Sequence, residues 1–381
     1  MEATAWPLPE GVRSRLVPGV NGLTMHVLEA GFEPAGRPCV LLLHGFPELS
    51  YSWRKVMPAL ARAGYHVVAP DQRGYGLTTG WNGDYDGDLA SFGILNLVRD
   101  VLALLHQLGH SSVDAVVGHD FGSPVAAYCA LIRPDVFRSV ALMSAPFEGP
   151  PSFPLGESAE VGNSPGDPAF REALARLTPP RKHYQWYYGT RAANADMRDC
   201  PEGIAAFLRA YYHMKSGDWA ENAPFPLEAW TAEAFAKLPR YYVMDLDQDM
   251  AATVRPHMPS ESEVARCTWL SEAELSIYAE TFSRTGFQGG LQWYRCALSA
   301  DQARDLTLFT GRAIEVPACF IAGARDWGIH QRPGGLETMR RHACRRMTAC
   351  DLIVGAGHWV QQERPDAVVR LLTRFLSRAE G

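Results

Sequence analysis

"VVGHDFGSPVAAYCAL", residues 116–131, sets an apolar strand, a tight turn and a helix of small residues around one acid, Asp120. Gly118 stands two positions before the acid and Gly122 two after it. A turn this sharp brings neighbouring backbone so close that only hydrogen fits at those two places, and it lifts the side chain between them above the sheet edge. There the amides and dipole of the helix N-terminus favour a negative group. A plain helix cap would explain Asp120 but neither glycine.

Working outward, the flanking text alternates strand and helix. CVLLLHG (39–45), HVVAPDQ (66–72) and Val113 to Gly118 are continuous apolar runs, as suits strands of a parallel sheet covered on both faces. Two short strands open the chain near Ser14–Val17 and Leu23–Ala30, helices are predicted over Trp53–Ala63 and Leu89–Leu108, and VFRSVALMSA (136–145) is a further strand. Residues 147–168 then carry prolines, glycines and serines without periodicity, as a linker does. The text to Ser299 is helical and rich in rings, after which VPACFIAG (316–323), MTACDLIVGAG (347–357) and a helix over Asp366–Ser377 resume the alternation. This predicts an α/β fold: a mostly parallel central sheet flanked by helices, split between residues 1–146 and 300–381, with a linker and helical cap inserted at 147–299.

The chain has 381 residues, 47% of them hydrophobic and 20% charged, enough to bury a large core. A net charge of -6 offers no basic stripe for nucleic acid and no polybasic membrane anchor. The N-terminus lacks the basic-then-apolar order of a signal peptide, and no apolar run approaches the roughly 20 residues of a membrane span, so a cytoplasmic protein is expected. The eight cysteines are scattered without the spacing of a zinc or redox motif, which predicts free thiols, no structural metal and no cofactor.

An acid at an elbow needs a base to activate water. GAGHWV supplies His358 after the last apolar strand, and IAGARDWG supplies Asp326 after another, placed to fix the imidazole tautomer and balance its charge. Glu148, after the strand at 136–145, is the reserve for the second acid. The order along the chain is nucleophile, acid, histidine. HGFPE (44–48) follows its strand directly, so the Phe46 amide, with that of Phe121 after the nucleophile, is expected to stabilise a developing negative oxygen; Pro47 gives this turn cis-prolyl character. GNSPG (162–166) matches a serine-hydrolase string, but it follows no strand and Pro165 stands where the helix should open.

Together HGFPELSYSWRKVMPALARAGYHVVAPDQRGYG, GHDFGS, HYQWYY, GFQGGLQWYR, the late Asp326 and GHWVQQERP resemble, in order and over roughly Leu23 to Leu376, the α/β-hydrolase fold epoxide hydrolases, kin of haloalkane dehalogenases. The resemblance implies that Asp120 attacks an epoxide carbon and that water activated by His358, oriented by Asp326, cleaves the resulting ester to a vicinal diol. It also implies two tyrosines on the epoxide oxygen, which fall at Tyr184 and Tyr294. His44, Pro47 and Trp186 are expected to touch substrate, Trp186 as a ring facing the pocket. The chemistry agrees: a carboxylate attacking an ester would give a reactive anhydride, whereas displacement at saturated carbon gives an ester that water can cleave.

The partners expected are a small-molecule epoxide and water, with no nucleic acid and no membrane, and with a homodimer left open. The ring-rich cap suggests a bulky, flat, apolar epoxide, such as a polycyclic natural product. A dehalogenase would want N–H donors for halide where Phe46 and Phe121 offer hydrocarbon, and a fluoroacetate-type enzyme would carry arginine in place of Phe121. A ligand-binding relative with little turnover is the reading from a different class.

Overall fold

The computed structural model describes residues 6–153 and 165–379. Ser164 of the GNSPG string lies outside the described residues. Eight strands form one sheet: β1 (Val12–Val20), β2 (Leu23–Ala30), β3 (Cys39–Leu43), β4 (His66–Pro70), β5 (Ala115–His119), β6 (Val140–Met143), β9 (Ile314–Gly323) and β10 (Cys344–Ile353), in the order β1-β2-β4-β3-β5-β6-β9-β10. Only β2 runs against the others, paired antiparallel with both β1 and β4. The remaining neighbours are parallel, with registers such as Leu43 opposite Gly118 and His119 opposite Met143.

The uninterrupted apolar runs follow from burial on both faces. In β3, Leu41 and Leu43 join one apolar cluster while Val40 and Leu42 join the other, so the alternation of side chains never reaches water. One face is covered by α2 (Ile94–Gln107) and α3 (Gly122–Ile132). α3 is buried almost all round, which its small residues allow. The other face carries α1 (Met57–Arg62) and the C-terminal helix Pro365–Ala379, which turns Val368, Leu372, Phe375 and Leu376 inward.

Two predicted helices are interrupted. The one expected over Leu89–Leu108 is a 3-10 turn, Leu89–Phe92, followed by α2, because Gly93 between them is extended. The one expected over Trp53–Ala63 is a 3-10 turn at Ser50–Trp53 and then α1. Between β6 and β9 the chain leaves the sheet and forms mainly helices, among them α4 (Pro168–Ala175), α5 (Tyr184–Tyr188), α6 (Ile204–Lys215), α7 (Glu272–Thr285) and α8 (Gln288–Ala297). A small antiparallel pair, β7 (Arg181–His183) with β8 (Val243–Asp245), also lies here, where the sequence reading had only helix. All eight cysteines are free thiols. Among the described residues no helix is long and apolar enough to cross a membrane.

Candidate active site

Asp120 follows β5 with φ +51°, in the left-handed region. A Cβ on Gly118 would come within 2.0 Å of the Gly122 carbonyl oxygen, and one on Gly122 within 2.4 Å of the Leu43 oxygen. The opposing Gly45 would place a Cβ 2.4 Å from that of Asp120. The two flanking glycines are therefore required by contact, and the strain at Asp120 is held by its amide bonding to the Met143 oxygen at 3.1 Å.

The two carboxylate oxygens have different partners. The Phe46 amide donates to Oδ1 at 2.9 Å, while Oδ2 lies 3.1 Å from His358 Nε2. On the other side of the ring, His358 Nδ1 is 3.1 Å from both oxygens of Asp326, whose Oδ1 also accepts from the Gly328 amide at 2.7 Å. Both Asp326 and His358 are 1% exposed. Glu148, the reserve acid, is instead ion-paired with Arg332 at the cavity wall.

The electrostatics follow from this sandwich. Burial opposes ionisation of Asp120, but the hydrogen bond and charge of His358, with Lys215 and His119 beyond, hold its carboxyl far below the ordinary range. Asp326 is likewise lowered: burial raises it, and His358 and the Gly328 amide outweigh that. Burial and Lys215 push His358 down, yet the Asp326 charge and the ring's hydrogen bonds to both carboxylates carry it up to about 9. The two flanking carboxylates thus favour the imidazolium form of the ring.

Asp120 opens into a cavity of about 540 Å³, walled by rings that include Phe121, Tyr128, Trp230 and Trp293. That size suits a small-molecule ligand. Tyr184, at the start of α5, and Tyr294, in α8, line the same cavity with ring centroids 6.0 Å apart. Tyr294 also meets Phe46, Phe121 and Tyr188 at 5.4, 5.1 and 5.0 Å. Burial, then the Asp120 charge, pushes both phenols well above their usual range, so they stay protonated and able to donate.

Three expected substrate contacts stand elsewhere. His44 is turned into the interior, its Nδ1 2.9 Å from the Gly45 oxygen and its Nε2 accepting from the Gln72 amide at 3.1 Å. Pro47 forms a cis peptide with Phe46, and its carbonyl accepts from the Tyr212 hydroxyl at 2.6 Å. Trp186 lies on the outer side of α5 with the Arg171 guanidinium 4.2 Å from its ring centroid. None of the three lines the cavity, to which α5 presents Tyr184 and not Trp186.

Several buried charges around the site gave no sequence signal. Lys215, 3% exposed at the end of α6, holds its ammonium 5.2 Å from the Tyr242 and Trp359 rings and 5.3 Å from Tyr211. Burial lowers its pKa against the pull of Asp120, Asp326 and Glu48. Its carbonyl accepts the His358 amide at 2.8 Å. Glu363 accepts amides of Gly217, Gly357 and Trp359 at 2.8–3.0 Å, tying the histidine loop to the end of α6. Beneath them His119 Nδ1 pairs with Glu48 at 2.6 Å, and its Nε2 donates to the His358 carbonyl at 2.7 Å.

An acid on a glycine-flanked elbow, with histidine and a second acid at other strand ends of a mostly parallel sheet, defines an α/β-hydrolase. Residues 38–365 match the family model described as alpha/beta hydrolase fold. Epoxide hydrolase A of Mycobacterium tuberculosis (strain H37Rv) is 34% identical over 362 residues, 94% of this chain and 96% of that protein. An epoxide hydrolase of Caballeronia sordidicola is 30% identical over 366 residues, covering 95% and 93%. Among solved structures, an epoxide hydrolase from an endophytic Streptomyces superposes with TM-score 0.74 at 32% identity, over 97% of this chain and 96% of that one. Potato (Solanum tuberosum) epoxide hydrolase I gives TM-score 0.72 at 30% identity, over 96% and 99%. The chain belongs to the α/β-hydrolase fold epoxide hydrolase family.

Proposed function

We propose that the protein opens an epoxide to a vicinal diol through a covalent ester on Asp120. The observation that carries this reading is the division of labour within one carboxylate: Oδ1 is held by the Phe46 amide, and Oδ2 lies against the imidazole at the cavity floor. In the first step Oδ2 bonds to an epoxide carbon, the ring C–O bond breaks, and the departing oxygen takes a phenolic proton from Tyr184 or Tyr294. Esterification removes the charge of Asp120, so His358 releases its proton, which returns to the phenolate. Neutral His358 then takes a proton from water as that water attacks the ester carbonyl. The negative charge develops on Oδ1, already within reach of the Phe46 amide, with the Phe121 amide as the second donor. Collapse expels the diol oxygen, which His358 protonates, and the new carboxylic acid of Asp120 then gives its proton to His358, restoring the carboxylate and the imidazolium. Asp326 keeps the ring in register throughout and balances its charge.

The aromatic wall and the volume near 540 Å³ favour a bulky apolar or aromatic epoxide. A halide-releasing reaction is less well served, since the side chains of Phe46 and Phe121 donate nothing and Trp293 directs its N–H to the Arg73 carbonyl at 3.0 Å. A panel of aromatic and aliphatic epoxides, assayed for diol release, tests the activity and separates turnover from stoichiometric binding. His358→Gln should form the ester and fail to hydrolyse it, giving an intact mass of protein plus substrate. Binding of an epoxide without that adduct would count against the mechanism.

A further inference from the structure

A second cluster of chemically capable side chains lies at the opposite end of the sheet from Asp120. Cys39 opens β3 and His66 opens β4, and the parallel register sets these two residues directly opposite each other, so their side chains share one face. His110, between α2 and β5, brings its Nε2 to 2.9 Å from His66 Nδ1. One ligand atom from each of the three residues lies within 4.8 Å of the other two. Cys39 is 1% exposed and the His66 side chain 13%, while His110 is half-buried and gives the way in from solvent. Carboxylates stand beside them: Glu29 Oε1 is 3.5 Å from His66 Nε2, and Asp114 Oδ2 accepts the Cys39 amide at 3.1 Å.

A hydrogen bond between the two imidazoles explains their spacing but not the thiol set against them. One sulfur and two imidazole nitrogens with carboxylate nearby are the donors of a tetrahedral site for a borderline divalent ion, and they are poor donors for magnesium or calcium. We propose that Cys39, His66 and His110 form a binding site for a zinc-class ion, with water in the fourth position and Glu29 beside it as countercharge. The ion would tie together the starts of β3 and β4 and the segment entering β5. Asp120, His358 and Asp326 all follow the far ends of their strands, so the site acts on stability and leaves the chemistry alone. Adding ion that binds only the folded state raises the melting temperature by mass action.

The test uses the full-length protein stripped of metal and titrated with Co²⁺, whose thiolate complex has a charge-transfer band that Zn²⁺ lacks. The expected result is one Co²⁺ per chain with that band, displaced by Zn²⁺, together with a rise in Tm on adding Zn²⁺. Cys39→Ser should abolish the band, His110→Asn should move it to at least about tenfold higher Co²⁺, and both should reduce the Tm rise at a given Zn²⁺ concentration, with diol release unchanged. His110 is half-buried, so its variant serves if the core substitution at Cys39 does not fold. A wild type without the band, or a band that persists at the same affinity in the variants, would overturn the proposal.

Discussion

Replacing Asp120 by asparagine removes the charge that ester formation removes while keeping the side chain's shape, so it isolates the proton release on which hydrolysis depends. His358 stands at about 9 against an ordinary 6.5, although burial and Lys215 both push it down. That difference corresponds to about 3 kcal/mol of preference for the imidazolium. One carboxylate within hydrogen-bond reach typically moves a partner by about 1–3 pH units, so the variant's ring should titrate at about 6–8, where it can act as a base. The sign for stability follows. A pKa raised in the folded state stabilises fully below about 6.5, and that contribution is lost as pH rises through about 9. In Asp120→Asn the loss should still begin near 6.5 but be complete at lower pH, and be smaller by about 1.4 kcal/mol for each pH unit that the ring's pKa falls. NMR of the ring nitrogens between pH 5 and 10 reads the titration, and urea unfolding at pH 6.5 and 9 reads the stability. If His358 in the variant still titrates near 9, ester formation would not free the base and the second step as described would be wrong.

Tyr184→Phe and Tyr294→Phe should each slow alkylation, and the double variant should lose the roughly 10²–10⁴-fold typical of acid catalysis, as measured by rapid-quench formation of the ester; an unchanged rate in the double variant would remove both from the proton transfer. Lys215→Met deletes a positive charge that depresses His358. The acidic limb of ester hydrolysis, which needs neutral His358, should therefore move to higher pH in single-turnover profiles, and an unmoved limb would show that Lys215 has only a packing role. Trp186→Ala should leave the ranking of epoxides unchanged and lower stability by about 1 kcal/mol through the lost contact with Arg171. A changed ranking with unchanged Tm would instead put its ring in the substrate's path.

The elbow was legible because sterics leave a local signature. Gly118, Asp120 and Gly122 are consecutive enough for one close contact to dictate all three, and His358 and Asp326 follow apolar strands whose ends a parallel sheet must gather on one side. Side-chain direction in short elements was not legible. Five residues of α5 give too little periodicity to say which ring faces the cavity, which is why Trp186 was misplaced, and nothing in HGFPE says that His44 turns inward to the Gln72 amide. Lys215 and Glu363 carry no local signal; only the tertiary fold buries one among three rings and the other against three amides. Cys39, His66 and His110 are far apart in the chain and meet through strand register, so no spacing motif betrays them.

The central claim is that a side-chain oxygen of Asp120 becomes an oxygen of the product. With enzyme in excess over epoxide in H₂¹⁸O, one turnover should release diol without label and leave ¹⁸O in the peptide that contains Asp120. Label in the diol with none in that peptide would mean that water attacks the epoxide directly, and the covalent mechanism would be wrong.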